Sequence, residues 1–332
     1  MSASTIQDVA KAAGVSVATV SRVINNSHAV TQSTREAVMS AIKMLNYQPN
    51  LLGRNLRRTE TRRLLVLLPN IGNPFYARIV KGIEDVAHKN GYNVMLCNTD
   101  SDAERERMYL ELLKSRLADG VIFMAPVLGK EGLTEIGHNF PVVQCCEYTE
   151  GAQVSHVSID NYAAAYKVTR HLISAGHQRI GMISCRGAVV SIMQRESGFK
   201  KALEDSGISF SEELVKYGDY SFNSGLRAAN QFVSMKERPT AIFAISDIMA
   251  IGALRSIREN NLKVPEDIAV AGFDNINFAS MCYPTLTTIS QPKYDMGCIS
   301  MELLLQQIRG ELKEPKDILL EYEIIIREST VR

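Results

Sequence analysis

The chain has 332 residues, of which 45% are hydrophobic and 22% charged; this is ordinary for a globular protein and too long for one small core. Its net charge of +1 is unevenly divided, because residues 1–63 hold nine Lys and Arg against three acidic residues and leave −5 for the remainder, which predicts a basic head that binds a polyanion. The longest dense apolar run, Leu64–Leu68, cannot span a membrane and residues 1–11 lack the apolar core of a secretory signal, so we expect a cytoplasmic protein.

The first fifty residues predict three short helices. Thr5 is a suitable N-cap for the first, Asp8 follows three residues later as in a capping box, and Gly14 ends the helix. Ser16 can cap a second helix and Thr31 a third. Two helices joined by a tight turn, with a third that closes the core, make the helix-turn-helix arrangement. A three-helix bundle that binds nothing has the same pattern.

The predicted second helix has two chemically different sides. One side is an apolar stripe made of Val20, Val23 and Ile24. The other side has a single charge beside small and polar residues, and consists of Val17, Ala18, Ser21, Arg22 and Asn25. The first side can build a core, which leaves the second for a partner.

The next segment, QPNLLGRNLRR at 48–58, is a marginal helix. Pro49 suits a first turn, but the segment is too short to be stable alone, and Gly53 costs about 1 kcal/mol more. Leu52 and Leu56 would be exposed apolar residues on a basic helix, a composition that suits a wedge in the DNA minor groove. The alternative is a basic linker with two incidental leucines.

From residue 62 onward the chain alternates strands and helices in two series. The predicted strands are RLLVLLP, YNVMLCN, GVIFMAP and PVVQCCE in the first series, and RIGMIS, TAIFAIS and IAVAGFD in the second. Alternation of this length indicates parallel sheets covered by helices on both faces, and two series indicate two such lobes. Open parallel sheets bind ligands at the carboxyl ends of their strands.

Several side chains that suit ligand binding follow these strands. They are Phe75, Tyr76, Ser191, Arg195, Tyr220, Asp247 and Asp274. Two acids, an arginine and aromatic rings suit a ligand that has hydroxyl groups and a ring. Asp247 could instead cap the helix that follows it, and Tyr76 could pack in a core or a dimer interface.

No pattern predicts an enzyme, a cofactor or a metal. The glycine-rich nucleotide motifs and the G-x-S-x-G motif are absent, and neither the six cysteines nor the six histidines have metal-ligand spacing. We expect the cysteines to be reduced and mostly buried.

The head sequence TIQDVAKAAGVSVATVSRVINN, followed by Y-x-P-N-x-x-G-R-N-L, resembles the DNA-binding head of the LacI/GalR family of bacterial transcription regulators. The resemblance continues in NPFYARIVKGIE, RESGF, PTAIFAISDIMAIGAL and VPEDIAVAGFDN, and is greatest to the purine- and cytidine-responsive branch. It implies a sequence-specific transcriptional regulator, most often a repressor, that acts as a homodimer on a pseudo-palindromic operator in double-stranded DNA.

The resemblance also implies how the chain is divided. An all-α helix-turn-helix head would span 1–48, a hinge helix and linker 49–61, and an α/β effector-binding and dimerisation domain 62–332. The last would consist of two doubly wound parallel-sheet lobes of periplasmic-binding-protein type, at about 62–160 with 292–319 and about 161–290 with 321–330. Three crossovers would join them, near Asp160, Gln291 and Leu320.

Roles in DNA binding follow by position. Val17, Ala18 and Arg22 would read bases, and Leu56 would intercalate in the minor groove with Arg57 beside it. Contacts to the DNA backbone would come from Thr5, Ser16, Thr19, Ser21, Asn25 and Tyr47. Arginine pairs with guanine and methyl groups suit thymine, so we expect one G·C pair beside A·T-rich positions in each half-site.

A small-molecule effector would bind between the lobes and change operator affinity through the angle between them. The purine-responsive members have a second arginine where this chain has Val189, so a free purine base is disfavoured. A nucleoside is the first expectation and a pentose or hexose the second, with inducer and co-repressor both open. The alternative function is a cytosolic nucleoside- or sugar-binding protein without specific DNA binding.

Overall fold

The computed structural model describes residues 4–24, 29–47, 60–187 and 189–331. They belong to two compact units, a head within Met1–Thr61 and a body within Arg62–Arg332. The head contains helices α1 (Ile6–Ala12), α2 (Val17–Ile24) and α3 (Gln32–Met44). Its core consists of Val9, Ala10, Val20, Val23, Val38 and Ala41.

The three predicted helix caps are confirmed. Thr5 Oγ1 accepts a hydrogen bond from the backbone N–H of Asp8 at 3.3 Å, and the Asp8 carboxylate accepts one in return from the Thr5 N–H at 2.8 Å. The hydroxyls of Ser16 and Thr31 accept hydrogen bonds from the third residue of α2 and α3, respectively. Each cap depends only on residues three positions apart, which is why local pattern predicts it.

The first lobe of the body has a six-stranded parallel sheet in the order β2-β1-β3-β4-β5-β11. Its strands are β1 (Arg63–Leu68), β2 (Asn93–Asn98), β3 (Gly120–Phe123), β4 (Val142–Cys145), β5 (Ser155–Ile159) and β11 (Asp317–Leu320). The helices that cover it are α4 (Pro74–Lys89), α5 (Ala103–Lys114), α6 (Lys130–Asn139) and α11 (Lys293–Ile308).

Strand β1 shows why both faces of this sheet are covered. Leu64, Val66 and Leu68 pack into a core with α4 and α11, whereas the alternate residues Leu65 and Leu67 pack into a second core with α5 and α6. Every residue from 64 to 68 is buried, which produces the continuous apolar run seen in the sequence.

Helices α4 and α11 cross at two glycines. A Cβ atom on Gly82 would lie 2.2 Å from the backbone oxygen of Tyr294, and one on Gly297 would lie 2.0 Å from that of Ile79. The helices therefore contact each other through their backbones, which fixes the start of α11 against the first lobe.

The second lobe has a six-stranded sheet in the order β7-β6-β8-β9-β10-β12, with only β12 antiparallel to its neighbour. Its strands are β6 (Ile180–Cys185), β7 (Val215–Gly218), β8 (Ala241–Ala244), β9 (Ala269–Asp274), β10 (Thr287–Ser290) and β12 (Glu323–Ile325). Its helices are α7 (Asn161–Ser174), α8 (Val190–Glu204), α9 (Phe222–Val233) and α10 (Asp247–Glu259).

The chain passes between the two lobes three times. It crosses from β5 to α7, returns from β10 to α11, and crosses again in the two residues between β11 and β12. The crossing strands are neighbours, because β5 pairs with β11 in one sheet and β10 pairs with β12 in the other. None of the helices in the described ranges is long and apolar enough to cross a membrane.

Candidate DNA-reading helix and effector cleft

Helix α2 presents the predicted reading side away from the head core. Val20 and Val23 are fully or almost fully buried, whereas Val17 is 38% exposed and Ala18 and Arg22 are also exposed. A surface of methyl groups with one guanidinium is therefore available on a folded helix. The helical spacing places Ala18 and Arg22 on the side opposite the stripe, whereas Val17 lies at the margin of the stripe in the exposed first turn.

Three of the residues predicted to contact the DNA backbone lie near helix starts. Thr5 and Ser16 cap α1 and α2, and the hydroxyl of Thr19 lies 2.9 Å from that of Ser16. Ser21 and Tyr47 are half-buried. The exposed N-termini of helices suit phosphate groups, since their N–H groups are unpaired within the helix. Three further predicted residues, Asn25, Leu56 and Arg57, lie outside the described residues.

In the body, left-handed backbone conformations gather at the carboxyl ends of strands. Cys146, directly after β4, has φ 74°, Tyr220, after β7, has φ 62°, and Asp274, at the end of β9, has φ 114°. Such values are uncommon for residues other than glycine and often mark ligand sites. Cys146 belongs to the first lobe, and Tyr220 and Asp274 belong to the second.

Arg195 is held rigidly on α8. Its Nε donates to Asn161 Oδ1 at 2.9 Å, and Nη1 donates to the backbone oxygen of Ile245 at 2.7 Å. The guanidinium carbon also lies 3.7 Å from the ring centre of Phe273. A buried cation with these contacts is fixed in orientation before any ligand binds.

Asp274 lies close to Arg195 and can carry the opposite charge. Its Oδ1 accepts a hydrogen bond from Gln291 Nε2 at 2.8 Å. Burial raises the pKa of Asp274 to about 6, although Arg195 and Lys293 act in the other direction. Lys293 Nζ donates to the backbone oxygens of Asp274 and Asn275, the latter at 3.0 Å.

Two tyrosines complete this group. Burial raises the pKa of Tyr76 well above its usual value, and the neighbours that raise it further include Glu147, Tyr220 and Asp274. Burial likewise raises the pKa of Tyr220, with Arg195 as an opposing neighbour. The structure thus brings together, from both lobes, the residues that we call the cleft cluster, Tyr76, Glu147, Arg195, Tyr220 and Asp274.

Three predicted residues lie beside the cluster in other roles. Phe75 is 8% exposed and packs in the core of the first lobe, edge-on to Tyr76 at 5.2 Å. Ser191 contacts Glu147 through both its N–H and its hydroxyl. Asp247 is fully buried and accepts hydrogen bonds from Thr288 Oγ1 at 2.6 Å and from the N–H of Ile276 at 2.9 Å. Burial raises its pKa well above the usual value.

Asp247 is not the cap of its helix. Ser246 is the N-cap of α10, and its side chain accepts the hydrogen bond from the N–H of Met249. Asp247 instead joins α10 to β10 and to the loop after β9, which supports the position of Asp274.

Three residues of this candidate site were not predicted from the sequence. Glu147 follows the predicted strand PVVQCCE, so its position at a strand end was a usable signal. Gln291 lies in the crossover after β10 and Lys293 is the first residue of α11; no strand was predicted before them. Within the described ranges, no group of three or more His, Cys, Asp or Glu residues is arranged to hold a metal ion.

Comparison with known proteins identifies the family. The sequence profile of "Bacterial regulatory proteins, lacI family" matches residues 5–50, and that of "Periplasmic binding protein-like domain" matches residues 169–330. The HTH-type transcriptional regulator RegA of Clostridium saccharobutylicum is 39% identical, over 99% of this chain and 100% of its own. The chain belongs to the LacI family.

Further members of the LacI family extend this result. The HTH-type transcriptional repressor CytR of Escherichia coli K12 is 37% identical, over 99% of this chain and 96% of its own. The lac repressor dimer bound to operator and the anti-inducer ONPF has a TM-score of 0.89 at 29% identity, with both chains covered completely. The predicted family, fold class and function are confirmed: the chain is a DNA-binding transcriptional repressor with an effector-binding body.

Proposed function

We propose that this LacI-family repressor binds a nucleoside between its two lobes. The observation that carries the proposal is the cleft cluster, which places two tyrosines, a fixed guanidinium and two carboxyl groups from both lobes near one another. Tyrosine rings suit the flat face of a base, and Asp274 and Arg195 suit the hydroxyls of ribose. Val189, 39% exposed at the start of α8, supplies no charge for a free purine base.

A pentose or hexose is the second candidate class. A LacI family regulator from Enterococcus faecium with bound ribose is 30% identical, with a TM-score of 0.73 over 80% of this chain and 98% of its own. The transcriptional regulator CelR in complex with cellobiose is 33% identical, with a TM-score of 0.74 over 98% of this chain and 99% of its own. These likenesses support a hydroxyl-rich ligand in the same cleft.

On the DNA side, we propose that Val17, Ala18 and Arg22 read bases in the major groove of each half-site. The capping hydroxyls of Thr5 and Ser16 support the proposed backbone contacts, which also include Thr19, Ser21, Asn25 and Tyr47. Leu56 would wedge into the central minor-groove step with Arg57 beside it. The partner is a pseudo-palindromic operator in the cytoplasm.

We further propose a homodimer, and an exposed apolar patch on the second lobe supports it. The patch consists of Phe222, Ile248, Ile251, Phe278, Met281 and Cys282, and Tyr283 follows it directly in the chain. Met281 is 71% exposed and Tyr283 is 81% exposed, which is unusual for large side chains grouped on one surface. A twofold axis through such a patch would present two heads to two half-sites.

A thermal-shift screen of the body, residues 62–332, tests the effector proposal. Nucleosides, free bases, pentoses and hexoses are added singly, and a ligand at a hundred times its Kd stabilises the folded state by about 2.7 kcal/mol. We expect a nucleoside to give the largest shift in Tm. Asp274→Asn should reduce the shift of that ligand. The absence of a shift with every nucleoside and sugar would contradict the proposal.

A further inference from the structure

Helix α8 starts without a capping side chain of its own. Its N-cap position is Val189, which has no oxygen to accept a hydrogen bond, and no side chain within the helix replaces it. The other three helices of the same lobe are capped locally, by Asp160, Ser221 and Ser246. The first turn of α8 nevertheless carries Ser191 and leads directly to Arg195.

The missing acceptor comes from the opposite lobe. Glu147 belongs to the first lobe and lies two residues after the end of β4. The left-handed backbone of Cys146 turns the chain between the strand and Glu147. Glu147 Oε2 accepts a hydrogen bond from the N–H of Ser191 at 3.2 Å, and Oε1 accepts a second from the Ser191 hydroxyl. This is the pattern of a helix N-cap, but donor and acceptor are 44 residues apart in the chain.

The residue next to Glu147 makes a second contact across the cleft. Tyr148 Oη accepts a hydrogen bond from Gln194 Nε2 at 3.0 Å, one turn further along α8. Tyr148 itself is stacked on His156 of the first lobe, with ring centres 4.0 Å apart and planes at 10°. Two consecutive side chains of the first lobe thus hold two consecutive turns of a helix in the second.

Charge favours the same arrangement. A carboxylate at a helix N-terminus is stabilised by the unpaired N–H groups and by the helix dipole. Arg195 also faces Glu147 and lowers its pKa, but burial is the larger effect, so the pKa of Glu147 is raised overall. The buried carboxyl group consequently depends on Ser191 for its hydrogen bonds.

We infer that Glu147 is an N-cap supplied by the opposite lobe, so that closing the first lobe onto α8 orders the helix turn that carries Ser191. Opening the lobes would withdraw the cap and loosen this turn. Glu147 is a positioning residue in this inference. The link to an effector rests on the proposed function, but the capping contact does not.

Hydrogen–deuterium exchange of the full-length protein, without DNA or added ligand, tests the inference. Loss of a cap should raise the exchange rate of peptides covering Val190–Gln194 by roughly 2- to 30-fold in Glu147→Ala. Glu147→Gln keeps one acceptor oxygen and should give a smaller increase. Glu150→Gln, at an exposed position in the same loop, is the matched control and should exchange like the wild type.

The start of α7, capped by Asp160 within its own lobe, serves as an internal reference. Equal exchange of the Val190–Gln194 peptides in Glu147→Ala and wild type would overturn the inference. If Glu147→Ala raises exchange throughout the body, the double variant Glu147→Ala with Ser191→Ala tests whether the two side chains interact. If Glu147 caps the helix through Ser191, the exchange rate of the double variant should rise by less than the product of the two single increases. A rise equal to that product would show that the side chains act independently and would overturn the inference. No outcome depends on which effector, or whether any effector, binds.

Discussion

Asp274 combines two unfavourable features at the centre of the proposed site. The residue is only 7% exposed, and its φ of 114° is rare for a residue other than glycine. Gln291, in the crossover after β10, holds its side chain, and Lys293, the first residue of α11, holds its backbone oxygen. The residue therefore links a point of strain in the second lobe to the segment that leads into the first.

Replacing Asp274 by Asn should change how stability depends on pH. Burial raises the pKa of Asp274 to about 6, above the usual value near 3.9, so the folded protein holds this proton more tightly than the unfolded chain does. Its contribution to the free energy of unfolding is thus fully present below about pH 4 and is lost as the pH rises through about 6. Asn accepts a positive φ and does not ionise.

We expect Asp274→Asn to gain stability over the wild type between pH 4 and pH 7, by up to about 3 kcal/mol. Urea denaturation of both proteins at four pH values within this range measures the difference. The charge of Asp274 also raises the pKa of the neighbouring Asp247, so part of the change in stability will come from Asp247. A difference in stability that stays constant with pH would contradict the raised pKa of Asp274.

Side chains at strand ends were the most predictable part of the site. Tyr76, Arg195, Tyr220 and Asp274 were predicted from their positions, and the structure brings them together. Glu147 was not predicted, because whether a residue after a strand turns inward depends on the backbone angle of its neighbour, here Cys146. A single sequence does not reveal that angle for a residue other than glycine.

At the scale of elements, α2 separates two tasks on its two sides. Val20 and Val23 build the head core, so substitution of exposed side chains on the other side should leave the fold intact. Arg22→Ala should lower affinity for a selected operator about 10- to 150-fold and remove the preference for one base pair. Fluorescence anisotropy at fixed salt, with operators that carry single base changes, measures both effects.

Lys11→Ala is the control, because Lys11 is an exposed charge in the last turn of α1. Removing one positive charge from the basic head should weaken binding to operator and to random duplex alike and reduce the salt dependence. If Arg22→Ala also weakened both duplexes equally, the proposed base-reading role would be wrong.

The helices and strands that a short stretch of neighbouring residues determines were predicted from the sequence, and those that depend on distant contacts were not. Helix caps and continuous apolar strands were predicted because three to six neighbouring residues determine them. Helix α6 was not predicted, because it contains two glycines, buries only Leu133 and has Gly129 at its N-cap. Strand β12 has only three residues and depends on antiparallel pairing with β10, in which Ile324 lies opposite Ile289, 35 positions earlier in the chain.

At the scale of the whole molecule, assembly should depend on the apolar patch. Met281→Asp places a charge at its centre, so we expect the variant to be monomeric and to bind the operator much more weakly, since two heads no longer act together. Analytical ultracentrifugation and operator binding at matched concentrations measure the two effects. Leu319→Asp is the control, because Leu319 is 60% exposed on β11 of the other lobe. A dimeric Met281→Asp variant would exclude the patch as the interface.

The three passages between the lobes limit how the molecule can move. They join neighbouring strands at one edge of each sheet, and the glycine crossing of α4 and α11 fastens one of them to the first lobe. We expect two lobes joined along a common edge to move mainly by rotation about that edge. Ligands of unrelated chemistry would then act on the DNA mainly through the extent of this rotation, and a substitution near the passages would alter the response to all of them together.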